Sequence, residues 1–151
     1  MAPDNNYDFS GVWLSTYTFT SGVTGDLLET EHYVTMQRLG NQLVIQSIPN
    51  TSGSYMMARF TLDGPIATGS YQSQNSPLSS TKGAIYYGAA QLVLDDNGKI
   101  FRGMGIGYGK DMKVKPSDWQ IEHVGQRNVS RKELQKVRFN EPVATKEAKK
   151  D

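Results

Sequence analysis

Few residues in this sequence could carry chemistry, and its two histidines are the first to consider. His32 and His123 lie far apart in the chain, each in a segment that reads as a strand. Either could join a carboxylate such as Glu29, Glu31 or Glu122 around a metal ion. However, no two histidines have the i, i+2 or i, i+4 spacing that helps to build a metal site. We therefore interpret both as ordinary strand histidines and predict no metal site and no cofactor.

Other catalytic patterns are missing from the sequence. The chain has no cysteine, which excludes a thiol nucleophile and a disulfide framework. It has no Gly-x-Ser-x-Gly elbow, so a serine hydrolase is not expected. One enzymatic alternative remains, an isomerase or cyclase that uses its interior as a shape template with Glu29 or His32 as acid or base. We rank it third, behind two non-catalytic functions.

The most informative stretch is KIFRGMGIGYGKD, residues 99–111, which follows the turn residues 95–98. Asn97-Gly98 between two apolar segments predicts a hairpin with a type I′ turn. Glycines then recur at every second position, which places them on one strand face, with Arg102, Met104, Ile106 and Tyr108 on the other. A strand face without side chains leaves a space that must be filled by a bent sheet, by an aromatic ring laid across it or by a ligand. No helix is expected after these glycines, so they do not predict a phosphate-binding loop.

Seven further segments read as strands separated by turns. They are residues 9–21, 27–39, 42–48, 54–62, 66–73, 82–94 and 118–124, and residues 110–116 read as a charged loop. The spacing is regular, and no helical period appears within residues 9–124. About eight sequential antiparallel strands can form a sandwich or an up-and-down barrel, and the short hairpins favour the barrel. We predict an all-β fold in which an eight-stranded interior is filled by side chains or holds one small ligand.

The two ends of the chain are more polar than the middle. We interpret residues 1–8 as a flexible leader, 9–124 as the barrel domain and 125–151 as a basic tail that is partly helical or disordered. Residues 124–151 carry eight Lys or Arg against four Asp or Glu. Ser130 with Glu133 forms a capping-box pattern, which predicts a short helix over residues 130–137. We expect this basic tail to be a solvated end, and nucleic-acid binding is not expected.

Aromatic residues on the predicted strands could form the wall of a pocket with polar tips that orient a ligand. Arg102 could bind an anionic group of the ligand if its strand face points inward. The candidate ligand-binding residues are Trp13, Tyr17, His32, Tyr71, Tyr86, Arg102, Tyr108 and Trp119.

Gly11-Val12-Trp13 on the first strand resembles the Gly-x-Trp signature of lipocalins and of the wider calycin group of barrels. A longer likeness runs over FSGVWLSTYTFTS, EHYVTMQRLGNQLVIQSIPN, KGAIYYGAAQLVLDDNGK and GIGYGKDMKVKPSDWQIE. These segments resemble the barrel-type domain that is C-terminal to helix-turn-helix modules in some bacterial regulators. The resemblance implies a lipocalin-like barrel that acts as a sensory or interaction module. No helix-turn-helix precedes the barrel segment here, so we expect no DNA-binding role.

Two functional hypotheses lead. The first is non-catalytic binding of a small, partly apolar molecule inside the barrel, as a sensor or carrier. The alternative is a protein–protein interaction or oligomerisation module with a packed barrel, such as a homodimer, in which Met104, Ile106 and Tyr108 face outward. With no signal sequence and no apolar segment of membrane-spanning length, we expect a cytoplasmic protein without membrane contact.

Overall fold

The computed structural model of the chain describes residues 9–20, 25–49, 54–74, 85–108, 112–124 and 137–142. These parts of the chain contain nine β-strands. They are β1 (Gly11–Thr20), β2 (Leu27–Leu39), β3 (Gln42–Ser47), β4 (Tyr55–Asp63), β5 (Ile66–Gln74), β6 (Ile85–Leu94), β7 (Ile100–Tyr108), β8 (Val114–His123) and β9 (Val137–Pro142). Within them, no helix is long and apolar enough to cross a membrane.

Strands β1 to β8 form a closed antiparallel barrel. Each strand pairs with the next along the chain, and β8 pairs back onto β1, as in Tyr17 opposite Trp119. Strand β9 pairs with β2 over residues 28–32, next to the part of β2 that pairs with β3 over residues 34–39. The prediction of an all-β, eight-stranded up-and-down barrel is confirmed, and this architecture is consistent with a calycin-like fold.

Period-two alternation assigns one face of every strand to the barrel interior. On β2, for example, Thr30, His32, Val34 and Met36 are buried, while Thr35 and Gln37 are exposed. Antiparallel partners point to the same side of a sheet, so the pattern of one strand fixes that of its neighbours. The buried apolar side chains form one continuous core inside the barrel.

One end of the barrel is sealed by aromatic rings, and we call it the aromatic end. Phe9, just before β1, is fully buried, and its ring lies 6.2 Å from that of Trp13 and 5.5 Å from that of Phe101. The Trp13 indole Nε1 donates a 2.9 Å hydrogen bond to the Phe9 carbonyl, which fixes the chain entering β1. The Arg38 guanidinium covers the outer side of the Phe9 ring at 5.7 Å.

The glycine face of β7 points into the barrel, and its space is filled by a bent sheet and by one aromatic ring. A Cβ added at Gly103 would overlap the backbone of β6, at the Gln91 carbonyl and the Leu92 Cα. A Cβ at Gly88 on β6 would instead overlap the ring of Tyr71, whose hydroxyl also reaches Gly107. The sequence suggests a bent sheet, an aromatic ring or a ligand over the glycine face, and the first two of these are both present.

The turn between β6 and β7 differs from the predicted type I′ turn. Gly98 has a positive φ of 70°, but Asn97 does not. The Asp95 carboxylate instead accepts hydrogen bonds from the backbone N–H groups of Lys99 (2.8 Å) and Ile100 (3.1 Å), and these bonds hold its pKa below the usual range. Since Asp95 stabilises the turn, only one left-handed residue is needed.

Two segment boundaries also differ from the prediction. Residues 114–116 are not part of a charged loop but begin β8, where Pro116 pairs with Ile106. Strand β9 is not expected from the sequence, and its first residue falls at the end of the predicted helix 130–137. The leader 1–8, the remainder of that helix and residues 143–151 lie outside the described residues.

Candidate functional site

The interior opposite the aromatic end is lined mainly by hydroxyl groups, and we call it the polar end. Tyr17 on β1 projects inward there, and its phenol oxygen hydrogen-bonds with the side chains of Thr30 and Ser73. Tyr71 on β5 hydrogen-bonds with Ser117. Burial raises the pKa of both tyrosines, so both are neutral at physiological pH.

His32 is the one buried imidazole of this polar end. Its side chain is 7% exposed, and it meets the Tyr17 ring edge-on with the ring centroids 6.4 Å apart. Its Nε2 atom has no hydrogen-bond partner among the described residues. Burial lowers the pKa of His32 to about 4, and the nearby Glu31 carboxylate offsets only part of that shift. The imidazole is therefore neutral at pH 7.

A small cleft opens beside His32 where the wall of the barrel changes. β2 pairs with β3 as far as Val34 opposite Ser47, and two residues earlier His32 pairs with Val137 of β9 instead. β3 has ended at this level and β4 begins, so side chains from both strand ends border the opening. The lining residues are Tyr17, Thr30, His32, Ser47, Ser54, Tyr55, Met56 and Ser73.

The cleft is narrow, and its described lining side chains are polar and carry no formal charge. It offers about 10 Å³ to the centre of a water molecule, which is about the room that one water needs. Six of its eight described lining side chains carry hydroxyls, while Met56 and the tyrosine rings supply apolar surface. Ser47 is already engaged, since its Oγ accepts a 2.8 Å hydrogen bond from the backbone N–H of Met56. This arrangement can bind one polar group of a ligand through hydrogen bonds.

The structure brings four of the eight predicted site residues together. Trp119 lies at the centre of the barrel, where its ring centroid is 6.5 Å from that of Tyr17 and 5.4 Å from that of Tyr71. Its indole Nε1 donates a 2.9 Å hydrogen bond to Ser15 Oγ. The other three residues of this group, Tyr17, His32 and Tyr71, surround the polar end. Of these three, only Tyr17 and His32 line the cleft.

The other four predicted site residues lie elsewhere. Trp13 belongs to the aromatic end. Tyr86 pairs with Ser73, so it lies on the inward-facing side of β6. Arg102 and Tyr108 are on the outer surface, where the Arg102 Nε donates a 3.1 Å hydrogen bond to Gln120 Oε1. Since Arg102 points outward, it offers no anion site inside the barrel.

The cleft also includes residues that the sequence analysis did not select. Thr30 and Ser47 occupy inward positions on strands whose other inward residues are mostly apolar. On β3, for example, Ser47 follows the inward residues Leu43 and Ile45. A hydroxyl at such a position is buried and needs a partner, so it is a signal readable from the sequence. Ser54 and Tyr55 could not be found this way, because their role depends on where β3 ends.

A second feature lies on the outside of the barrel, over β6, β7 and β8. Met104 and Ile106 are each 54% exposed and Tyr108 is 37% exposed. The register places Ile106 between Ala89 and Pro116, and Tyr108 beside Val114. We call this surface the outer apolar face; its members are Tyr87, Ala89, Met104, Ile106, Tyr108, Val114 and Pro116.

No three His, Asp or Glu side chains in the described ranges are placed to hold a metal ion. Searches with protein-family models, among curated proteins and among solved structures each gave no match. The barrel and its cleft are therefore the basis for a functional argument.

Proposed function

We propose that this barrel binds a small, partly apolar molecule without catalysis, as the sensor or carrier module that its likeness to the barrel domains of bacterial regulators implies. The observation that carries the proposal is His32, which lines a polar cleft and whose buried Nε2 atom has no hydrogen-bond partner in the described chain. A buried, unsatisfied polar atom destabilises a protein by about 1–3 kcal/mol. A ligand group that hydrogen-bonds to Nε2 would remove this penalty.

The shape of the cleft suggests how such a molecule is held. Its opening admits about one heavy atom, so a polar tip enters while the apolar body rests outside, against the exposed ring of Tyr55 at the start of β4. Tyr17 and Ser73 provide further hydrogen-bonding groups beside the tip. The aromatic end is already filled by side chains and contributes stability to the scaffold.

Thermal unfolding of the full chain against a broad set of small metabolites tests this proposal. A compound at ten times its dissociation constant stabilises the folded state by about 1.4 kcal/mol, which raises Tm by about 3–6 °C for a domain of this size. We expect at least one compound to do so for the wild type and to have no effect on His32→Leu. A set without any stabilising compound, or one whose active compounds act equally on His32→Leu, would contradict the proposal.

Self-association through the outer apolar face is a second candidate function. The seven members carry no charged side chain, and the exposed Asp118, which pairs with Met104, borders the face. Two copies could therefore meet at the face while the Asp118 carboxylate stays in water at its edge. Exposed Met, Tyr and Ile side chains are also common at the centre of protein interfaces. A homodimer would cover this surface while leaving the cleft on β2–β5 open.

The expected result for this second candidate is a concentration-dependent dimer in sedimentation velocity. Ile106→Lys places a charge at the centre of the face and should weaken the dimer by about 1–3 kcal/mol, with little change in unfolding free energy. Thr68→Lys, on the outer surface of β5, is a matched control that adds the same charge outside the face. A wild type that stays monomeric at the highest concentration reached would exclude the homodimer.

A further inference from the structure

The polarity of the cleft defines a class of ligand more narrowly than size does. This inference rests on the proposed function, since it concerns the same cleft beside His32. We propose that the cleft accepts the uncharged hydroxyl or amide tip of a small, partly apolar molecule and discriminates against carboxylates and amines of the same size.

The cleft offers no counter-charge among the residues that the structure describes. None of the eight described side chains that line it is a carboxylate, an ammonium or a guanidinium. A charged group that enters a buried site without a partner loses its hydration and gains nothing of equal strength. An uncharged hydroxyl or amide needs only hydrogen bonds, which Tyr17, Ser73 and the Nε2 atom of His32 can supply.

His32 itself shows how the cleft treats a positive charge. Its position should help a cation, because Glu31 lies on the same strand and attracts positive charge. Burial nevertheless disfavours the imidazolium by more than this attraction favours it, and the ring remains neutral at pH 7. A ligand ammonium at the same depth faces the same balance. A ligand carboxylate is worse placed, because Glu31 repels it.

The hydrogen bond that His32 can offer also favours an uncharged tip. A neutral imidazole has one donor and one acceptor nitrogen, and Nε2 can take either role according to the tautomer. A hydroxyl or a primary amide can donate or accept, so either group can match Nε2 in both tautomers. A carboxylate only accepts and an ammonium only donates, so each fits one tautomer at most.

Three size-matched probes test the inference: benzyl alcohol, benzoate and benzylamine, which is a cation at pH 7. Each has the same apolar ring and differs in the charge of its tip. Binding is measured at pH 7 from the ¹⁵N signals of the His32 imidazole and the ¹³C methyl signal of Met56. We expect benzyl alcohol to shift both sets of signals and to bind about ten-fold or more tightly than either charged probe.

Two variants make the readout specific. His32→Leu should abolish the effect of benzyl alcohol on the Met56 signal, whereas Ile106→Lys, on the outer apolar face, should leave it unchanged. If benzoate or benzylamine shifts His32 as strongly as benzyl alcohol does, the inference is overturned and the proposed function stands. If none of the three probes shifts His32, the inference is overturned, and the proposed function is then decided by the thermal unfolding measurements with the metabolite set.

Discussion

Alanine at Gly103 is expected to lower the free energy of unfolding by about 3 kcal/mol or more, a large part of the stability of a domain of this size. A Cβ there would overlap the backbone of β6, and a backbone segment within a barrel wall cannot move aside. At Gly88 the added Cβ would meet the far end of the Tyr71 ring instead, which can rotate away at a lower cost. Urea unfolding of the two variants gives the comparison.

The same two alanine variants in a Tyr71→Leu background distinguish the clash with the Tyr71 ring from the clash with the β6 backbone. In Tyr71→Leu the far end of the ring is gone, so Gly88→Ala should cost less than about 1 kcal/mol, since the clash is removed. Gly103→Ala should cost the same in both backgrounds, because Tyr71 plays no part in its clash. Equal behaviour of the two alanine variants in the two backgrounds would show that the glycine face is not filled as described.

The stability of the wild type should fall as the pH is lowered through the range in which His32 titrates. The folded-state pKa is about 4 and the unfolded value is 6.5, so between these values the unfolded state binds more protons. This contribution is fully present above pH 6.5 and is lost as the pH falls toward 4. The difference in unfolding free energy between the wild type and His32→Leu should therefore decrease by about 3 kcal/mol from pH 7.5 to pH 4.

His123 provides the control for this titration. Its pKa is also lowered, first by burial and then by the nearby Lys99, but its side chain is half-buried and lies at the aromatic end beside Trp13. His123→Gln should retain most of the pH dependence of the wild type, as measured by chemical denaturation at each pH. Identical pH profiles for the wild type and His32→Leu would mean that water reaches the His32 ring in the folded protein.

Much of this barrel is readable from the sequence because alternation is a local property. The strands β1 to β7, their hairpin connections and the inward set Thr30, His32, Val34 and Met36 follow from period two alone. Closure is also predictable, since short consecutive hairpins leave few other arrangements for eight strands.

The alternation of residues does not show which face of β7 points into the barrel. One face carries only glycine and the other carries Met104, Ile106 and Tyr108, so the hydrophobic pattern by itself would turn the apolar side chains inward. The opposite holds because Tyr71, from two strands away, occupies the space above Gly88 and Gly107. That contact depends on tertiary structure, and no local pattern encodes it.

The cleft could not be predicted from the sequence either, because it also depends on tertiary structure. Tyr17 and His32 were selected for their residue types, but the opening between them exists because β3 is only six residues long and β9 takes its place beside β2. Residues 137–142 include a proline and two charged residues, which do not predict a strand. Their pairing is set by the free edge of β2.

The aromatic end also has a consequence for how the chain folds. Its rings come from Phe9 and Trp13 at the beginning of the barrel and from Phe101 near its end, and the Trp119–Ser15 hydrogen bond joins residues 104 positions apart. Closing so long a loop is slow, so folding should end with the meeting of β1 and β8. The two ends of the domain lie side by side, since the Val124 N–H donates to the Val12 carbonyl at 3.0 Å. A circular permutant that joins them would turn the most distant contacts of this barrel into its most local ones and should fold faster.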